Sequence, residues 1–247
     1  FYLIFNHIKD MKKIIYSVAV FFLLMATYAQ ELTATDLLDR SIAYHDPEGK
    51  WNGFKGNFFI TMKSPNRPVR KSKIELDFNQ SFFRLTVDVE GNQLISQLKN
   101  QECLLSFNGT TDFSEAIAKK NRLSCERASM YKDYYTYLYG LPMKLKDPGT
   151  RLANSVLEQE IDGISYWVLK VTYEPETGGD TWYFYLDKNT YQLRRYQFFH
   201  EEAKNDGEYI VLENELMVNE IKMPKDRSWY YNKDNKYLAT DYLSVSN

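Results

Sequence analysis

The stretch Val156-Leu-Glu-Gln-Glu-Ile-Asp-Gly-Ile-Ser-Tyr-Trp-Val-Leu-Lys-Val-Thr-Tyr173 holds two extended runs around an Asp162-Gly163 pair. Asp-Gly accepts the positive φ angles of a two-residue hairpin turn, so residues 156–161 and 164–173 read as antiparallel neighbours. In the second run Trp167, Leu169, Val171 and Tyr173 share one face. The same signals recur on either side. Asp187-Lys188-Asn189 separates residues 182–186 from 191–199, and Asn232-Lys233-Asp234-Asn235 precedes 237–245. Upstream, residues 58–62, 74–78, 82–89, 94–98 and 103–107 are strand-like, and Asn108-Gly109 closes that series. Within it Phe83, Leu85, Val87 and Val89 face one way while Arg84, Thr86 and Asp88 face the other. Sequential short strands joined by tight turns form a meander. About ten of them without a long crossover predict an α+β, mainly antiparallel fold: a strongly curved sheet or incomplete β-barrel.

Two helical regions interrupt the strands. Thr33-Ala34-Thr35-Asp36 resembles a capping box, Leu37, Leu38, Ser41, Ile42 and His45 follow at helical spacing, and Asp46-Pro47 ends the helix. A helical insert over about 112–146 contains residues 113–119 and 126–139. In its second part Met130, Tyr131, Tyr134, Tyr135, Tyr137, Leu138 and Tyr139 sweep an arc of roughly 200° at about 100° per residue, twice the usual buried stripe. Such a helix needs cover on more than one side, yet its hydroxyls need polar partners. A plug or lid over an aromatic cavity meets both needs, with Gly140 as the expected hinge at its far end.

Met11-Lys12-Lys13, the apolar run 14–25 and Thr27-Tyr28-Ala29 read as a secretory signal peptide cut between Ala29 and Gln30. Residues 1–10 read as sequence upstream of the true start or an extension of the signal. The apolar run is short for a membrane span, and Gln30 is not the cysteine that lipid anchoring requires. The expected product is a soluble periplasmic or secreted protein, not a lipoprotein, with residues 30–247 as one domain. The formal net charge of −2 gives no electrostatic reason to expect nucleic acid, and the mean hydropathy of −0.51 argues against an integral membrane protein.

Cys103 and Cys125 are expected to pair in an oxidising compartment, stapling a strand end to the start of the tyrosine helix; two buried free thiols are the alternative. Catalytic and metal chemistry find little support. His45 and His200 are far apart in the sequence, so no histidine-rich metal site forms. His45-Asp46 at a helix end could serve a hydrolase, although a cationic His45 favouring the helix dipole is the simpler reading. Glu174, Glu176 and Asp180, and Glu201, Glu202 and Asp206, are acidic loop clusters without the spacing of a calcium loop. No nucleophile elbow and no phosphate-binding glycine pattern is present, so no catalytic residue, metal or cofactor is expected.

His45-Asp-Pro-Glu-Gly-Lys-Trp51, Leu123-Ser-Cys-Glu-Arg-Ala128, Tyr134-Tyr-Thr-Tyr-Leu-Tyr-Gly-Leu-Pro-Met-Lys144, Asp180-Thr-Trp-Tyr-Phe-Tyr185 and Asn205-Asp-Gly-Glu-Tyr209 together resemble a family of exported Bacteroidota proteins, a domain of unknown function that brings no assigned activity. The order helix, strands, helical insert, strands is similar to that of periplasmic lipoprotein carriers, whose open barrel is capped by helices and holds acyl chains. The chain departs from them in lacking a lipoprotein-exchange motif and the anchoring cysteine of the outer-membrane receptor relative. The expectation is a non-enzymatic carrier of a hydrophobic or amphipathic small molecule or lipid, with an envelope protein as a further partner. Tyr134, Leu138, Trp167, Trp182 and Phe184 are its candidate ligand-binding residues. A carbohydrate or polymer-binding module is the runner-up, since the same aromatics can stack on sugar rings.

Overall fold

The computed structural model describes residues 32–245; the expected signal peptide and its cleavage site lie outside them. The described chain is dominated by one antiparallel sheet. Its strands are β1 Lys55–Lys63, β2 Arg70–Asp77, β3 Phe82–Val89, β4 Asn92–Lys99, β5 Glu102–Phe107, β6 Thr150–Leu152, β7 Leu157–Ile161, β8 Ile164–Tyr173, β9 Thr181–Asp187, β10 Leu193–Phe199, β11 Glu208–Val218, β12 Ile221–Tyr231 and β13 Tyr237–Ser244. They are ordered β5-β4-β3-β2-β1-β13-β12-β11-β10-β9-β8-β6, with β7 also on β8. The first and last strands pair through Ile60 and Leu243, so two meanders are zipped into one sheet. β5 and β6 end the order and do not pair with each other, leaving the sheet open.

Helix α1 (Ala34–His45) precedes β1, while α2 (Glu115–Asn121) and α3 (Cys125–Tyr139) lie between β5 and β6. The Thr33 hydroxyl accepts the Asp36 N–H at 3.1 Å and starts α1. Beyond its end, the Asp46 carboxylate accepts the N–H groups of Lys50 and Trp51 at 2.7 and 2.9 Å. Ser124 caps α3 through the Arg127 N–H at 3.1 Å.

Thirteen strands exceed the ten expected, and turn chemistry explains part of the difference. Asp162-Gly163 takes φ angles of 52° and 76° as a primed turn requires. The long β11–β12 hairpin turns instead on Asn219-Glu220, with φ of 48° and 67° and no glycine to announce it. Tyr191, at φ 64°, delays the start of β10 to Leu193.

Curvature follows from what α3 touches. Cys125 at its start is bonded to Cys103 on β5, with Cα atoms 5.9 Å apart. Tyr139 at its end packs on Phe58 of β1, ring centroids 4.8 Å apart. Tyr137 meets Trp182 of β9 at 5.5 Å and Tyr173 of β8. One helix of 15 residues reaches strands near both edges only if the sheet wraps around it. The inner face runs continuously by register, through Leu98 opposite Cys103, Leu76 opposite Phe83, Leu169 opposite Phe184 and Phe184 opposite Tyr196. Tyr135, Leu138 and Tyr139 fill the space beneath the helix and are buried.

Neither end of the helix is a free hinge. Gly140 has φ −91°, a conformation open to any residue, and its N–H donates to the Thr136 carbonyl at 3.1 Å. A Cβ at Gly140 would overlap the Trp51 ring and stand 2.6 Å from the Thr136 oxygen, so close packing is what the glycine serves. Leu141, Met143 and Leu145 beyond it are buried. With Cys125 bonded at the other end, α3 is a plug held at both ends, a correction to the expected movable lid.

Candidate functional site

The plug does not sit flush against the wall. One flank of α3 borders a cleft of about 460 Å³ whose lining includes Tyr134, Tyr137, Lys144, Asp147, Thr150 and Tyr173. A neighbouring cleft of about 430 Å³, which shares Asp133, Thr136 and Lys144 with the first, lies against Leu76, Phe78, Phe82 and Phe83. At the rim between the β1–β2 and β12–β13 hairpins lies a cleft of about 450 Å³ lined by Met62, Arg67, Tyr231 and Ala239 among others. A pocket of about 140 Å³ continues past Met62 under the first half of the helix, between Arg70 and Asp241 on the wall and Met130, Tyr131, Tyr134 and Tyr135 above. The three larger spaces fall within the ~300–1,000 Å³ range of small-ligand sites.

Tyr134 lines both the 460 Å³ cleft and the small pocket, keeps 41% of its surface exposed and lies near-parallel to Trp229 at 6.5 Å. Leu138 is buried and offers its carbonyl to the Arg227 guanidinium. Trp182 packs between Phe198, at 4.8 Å, and Tyr137, while Phe184 is wholly buried beside Tyr196. Of the five, only Tyr134 lines a cleft; Trp167 shares the sheet face of Trp182 and Phe184, and the Lys188 ammonium covers its ring at 4.3 Å. Tyr134, Leu138, Trp182 and Phe184 are thus gathered around the helix, and Trp167 is not.

Polar groups that sequence reading passed over complete the wall. Arg227 is 1% exposed; its guanidinium lies 3.9 Å from the Tyr139 ring centre and donates to the Pro224 carbonyl at 2.8 Å. Arg70 donates to the Tyr135 hydroxyl at 2.9 Å. Burial pushes the Asp241 carboxyl above the usual carboxylate range, against the pull of Arg227 and Arg70. The Tyr139 hydroxyl and the Nε atoms of Arg70 and Arg227 are buried without hydrogen-bond partners. Burial likewise raises the tyrosine hydroxyls, Tyr173 to about 12 and Tyr135, Tyr137 and Tyr139 in the same direction. These phenols therefore stay neutral near pH 7. The signal for the charged wall was inward parity: Asp241 shares the parity of Ala239 and Leu243, and Arg227 that of Trp229.

His45 has a structural job. It is fully buried, its Nε2 accepts the Leu193 N–H at 3.0 Å, and its Nδ1 therefore donates to the Lys222 carbonyl at 2.7 Å. Both nitrogens are engaged by backbone, leaving neither for proton transfer. Desolvation lowers its pKa, so the ring is neutral, not the cation expected at a helix end. The acidic loops are internally occupied. Glu202 binds Lys170 at 3.0 Å and the Tyr183 hydroxyl, and one Asp206 oxygen accepts the N–H groups of His200 and Glu201, both at 2.9 Å. Among the described residues no group of three or more His, Cys, Asp or Glu could hold a metal ion.

A family model matches residues 12–245, nearly the whole chain. The chain belongs to the family of unknown function DUF6503. No curated protein matches it in sequence. Solved structures similar to it include a LolA superfamily protein from Nitrosomonas europaea, at 11% identity and TM-score 0.49, covering 86% of this chain and 91% of that one. A DUF1329 family protein from Desulfovibrio piger has 11% identity and TM-score 0.46, with coverages of 85% and 91%. A Vibrio parahaemolyticus domain named for outer-membrane lipoprotein sorting has 12% identity and TM-score 0.45, with coverages of 86% and 89%.

Proposed function

We propose that this DUF6503 protein is an exported, non-enzymatic binder or carrier of a hydrophobic or amphipathic ligand, a lipid or lipoprotein acyl chain, held against the aromatic inner face beside α3. The observation that carries the reading is the incomplete seating of the plug: clefts of about 460 and 430 Å³ along α3 border Tyr134, Tyr137, Tyr173, Phe78, Phe82 and Phe83, among lysine, aspartate and threonine side chains that can orient an amphipath. Export is supported by residues 11–29 of the sequence and by a cross-link suited to an oxidising compartment. Among the described residues no helix is long and apolar enough to cross a membrane.

The test is fluorescent fatty-acid binding to delipidated protein, joined to native mass spectrometry of protein taken from the periplasm. Saturable binding that weakens in Tyr134→Ala and Trp182→Ala is expected. A clean apo mass with no affinity for the probe would refute the reading.

A second reading, glycan binding, is favoured by a row on the outer face. Arg195, Tyr209, Tyr230 and Tyr237 succeed one another on β10 to β13, with Arg195 3.9 Å from the Tyr209 ring centre and Tyr209 stacked on Tyr230 at 5.0 Å. Co-sedimentation with insoluble envelope glycan, abolished by Tyr230→Ala, would mark that face as the site.

A further inference from the structure

One row of the inner wall carries unbalanced charge. Register places Arg227 of β12 opposite Asp241 of β13, Asp241 opposite Met62 of β1, and Met62 opposite Arg70 of β2. Four neighbouring strands therefore present Arg, Asp, Met and Arg at one level, facing the helix. Arg227 lies beside Asp241 and is further engaged by the Pro224 carbonyl and the Tyr139 ring. Arg70 has less. It donates one N–H to Tyr135, its guanidinium lies 5.8 Å from the Tyr131 ring centre, its Nε is buried without a partner, and among the described residues it forms no ion pair. The helix above brings no acid to this side: its residues lining the pocket are Met130, Tyr131, Tyr134 and Tyr135, whereas Asp133 borders the flanking clefts.

Two guanidinium groups thus share one carboxylate, and a half-buried cation with an unused donor is costly until an anion meets it. The fork of Arg suits a carboxylate in particular. The 140 Å³ pocket beside Arg70 has room for a carboxylate and the first few carbons of a chain. Met62 belongs to both that pocket and the 450 Å³ rim cleft, so a chain leaving the pocket passes Met62 into a space where Tyr231, Tyr237, Leu238 and Ala239 offer apolar contact among polar side chains. Resting on the acyl-binding reading above, we propose that the ligand is a carboxylate-headed acyl chain, its head held by Arg70 under α3 and its tail laid along Met62 into the rim cleft.

The decisive comparison is between laurate, methyl laurate and inorganic phosphate as competitors of a fluorescent fatty acid on the full exported chain. Laurate should compete at least tenfold better than its methyl ester. Arg70→Gln should erase that preference and Arg70→Lys should weaken it. Equal competition by acid and ester overturns the head-group site while leaving an apolar carrier standing. Absence of binding by either chain overturns both. Competition by phosphate as strong as that by laurate shows a site for free anions and overturns the acyl assignment. If Arg70→Gln does not fold, the acid-to-ester ratio of the natural chain still decides.

Discussion

Replacing Gly140 by alanine tests what holds the plug. The new Cβ would penetrate the Trp51 ring, and the ring has nowhere to go: Trp51 is 4% exposed and wedged against Phe54 and Phe78, with centroids 5.2 and 5.1 Å away. Relief to an ordinary contact needs a shift on the order of 1 Å within a close-packed cluster. Overpacking of this kind costs about 1–3 kcal/mol. The opposing gain from a less flexible unfolded chain is about 0.4–1 kcal/mol, so the overpacking outweighs it and the variant is destabilised. For a chain of this size that is a fall in Tm of roughly 2–8 °C, read by urea and thermal denaturation. A hinge role predicts the reverse pattern, with stability kept or raised and ligand exchange slowed. A Gly140→Ala protein as stable as the natural one would refute the packing argument and restore Gly140 as a hinge.

The remaining predictions concern the other anchors. Cys103→Ser/Cys125→Ser, or reduction of the bridge, opens a 22-residue loop and should lower stability by roughly 3 kcal/mol on the chain-entropy model; an unchanged denaturation midpoint under reducing conditions would contradict it. His45 should make the fold acid-sensitive. Its pKa is lowered in the native state, so below about pH 6.5 the unfolded chain binds a proton that the folded chain refuses. That stability is fully present above this pH and drains away as pH falls, by at most about 1.4 kcal/mol per unit. Urea titrations at pH 7.5 and 5.5 should show a smaller acid loss in His45→Gln than in the natural protein. Equal losses would mean that the ring is not held neutral.

Alternation and turn chemistry made the antiparallel meander legible, because both are local properties. Asp162-Gly163, Asn108-Gly109 and the Thr33 cap sit where their residue types placed them. The Asn219-Glu220 turn was hidden, since two non-glycine residues hold positive φ there only with a long hairpin around them. Trp167 shows the limit of reading a face: it shares parity with the aromatic wall, but parity fixes the side of a strand, not the distance along it, and Lys188 covers it away from the clefts.

The sequence by itself determined an aromatic helix inserted between two strand series and two cysteines able to tie it down. Only the tertiary structure decided that the helix is a plug fixed at both ends, because the contact between Gly140 and Trp51 joins residues 89 positions apart. The same holds for the charged row under the helix. Arg70, Asp241 and Arg227 are scattered along the chain, and become one charged row because β1–β13 pairing carries the first and last strands of the sheet to one level of a common wall.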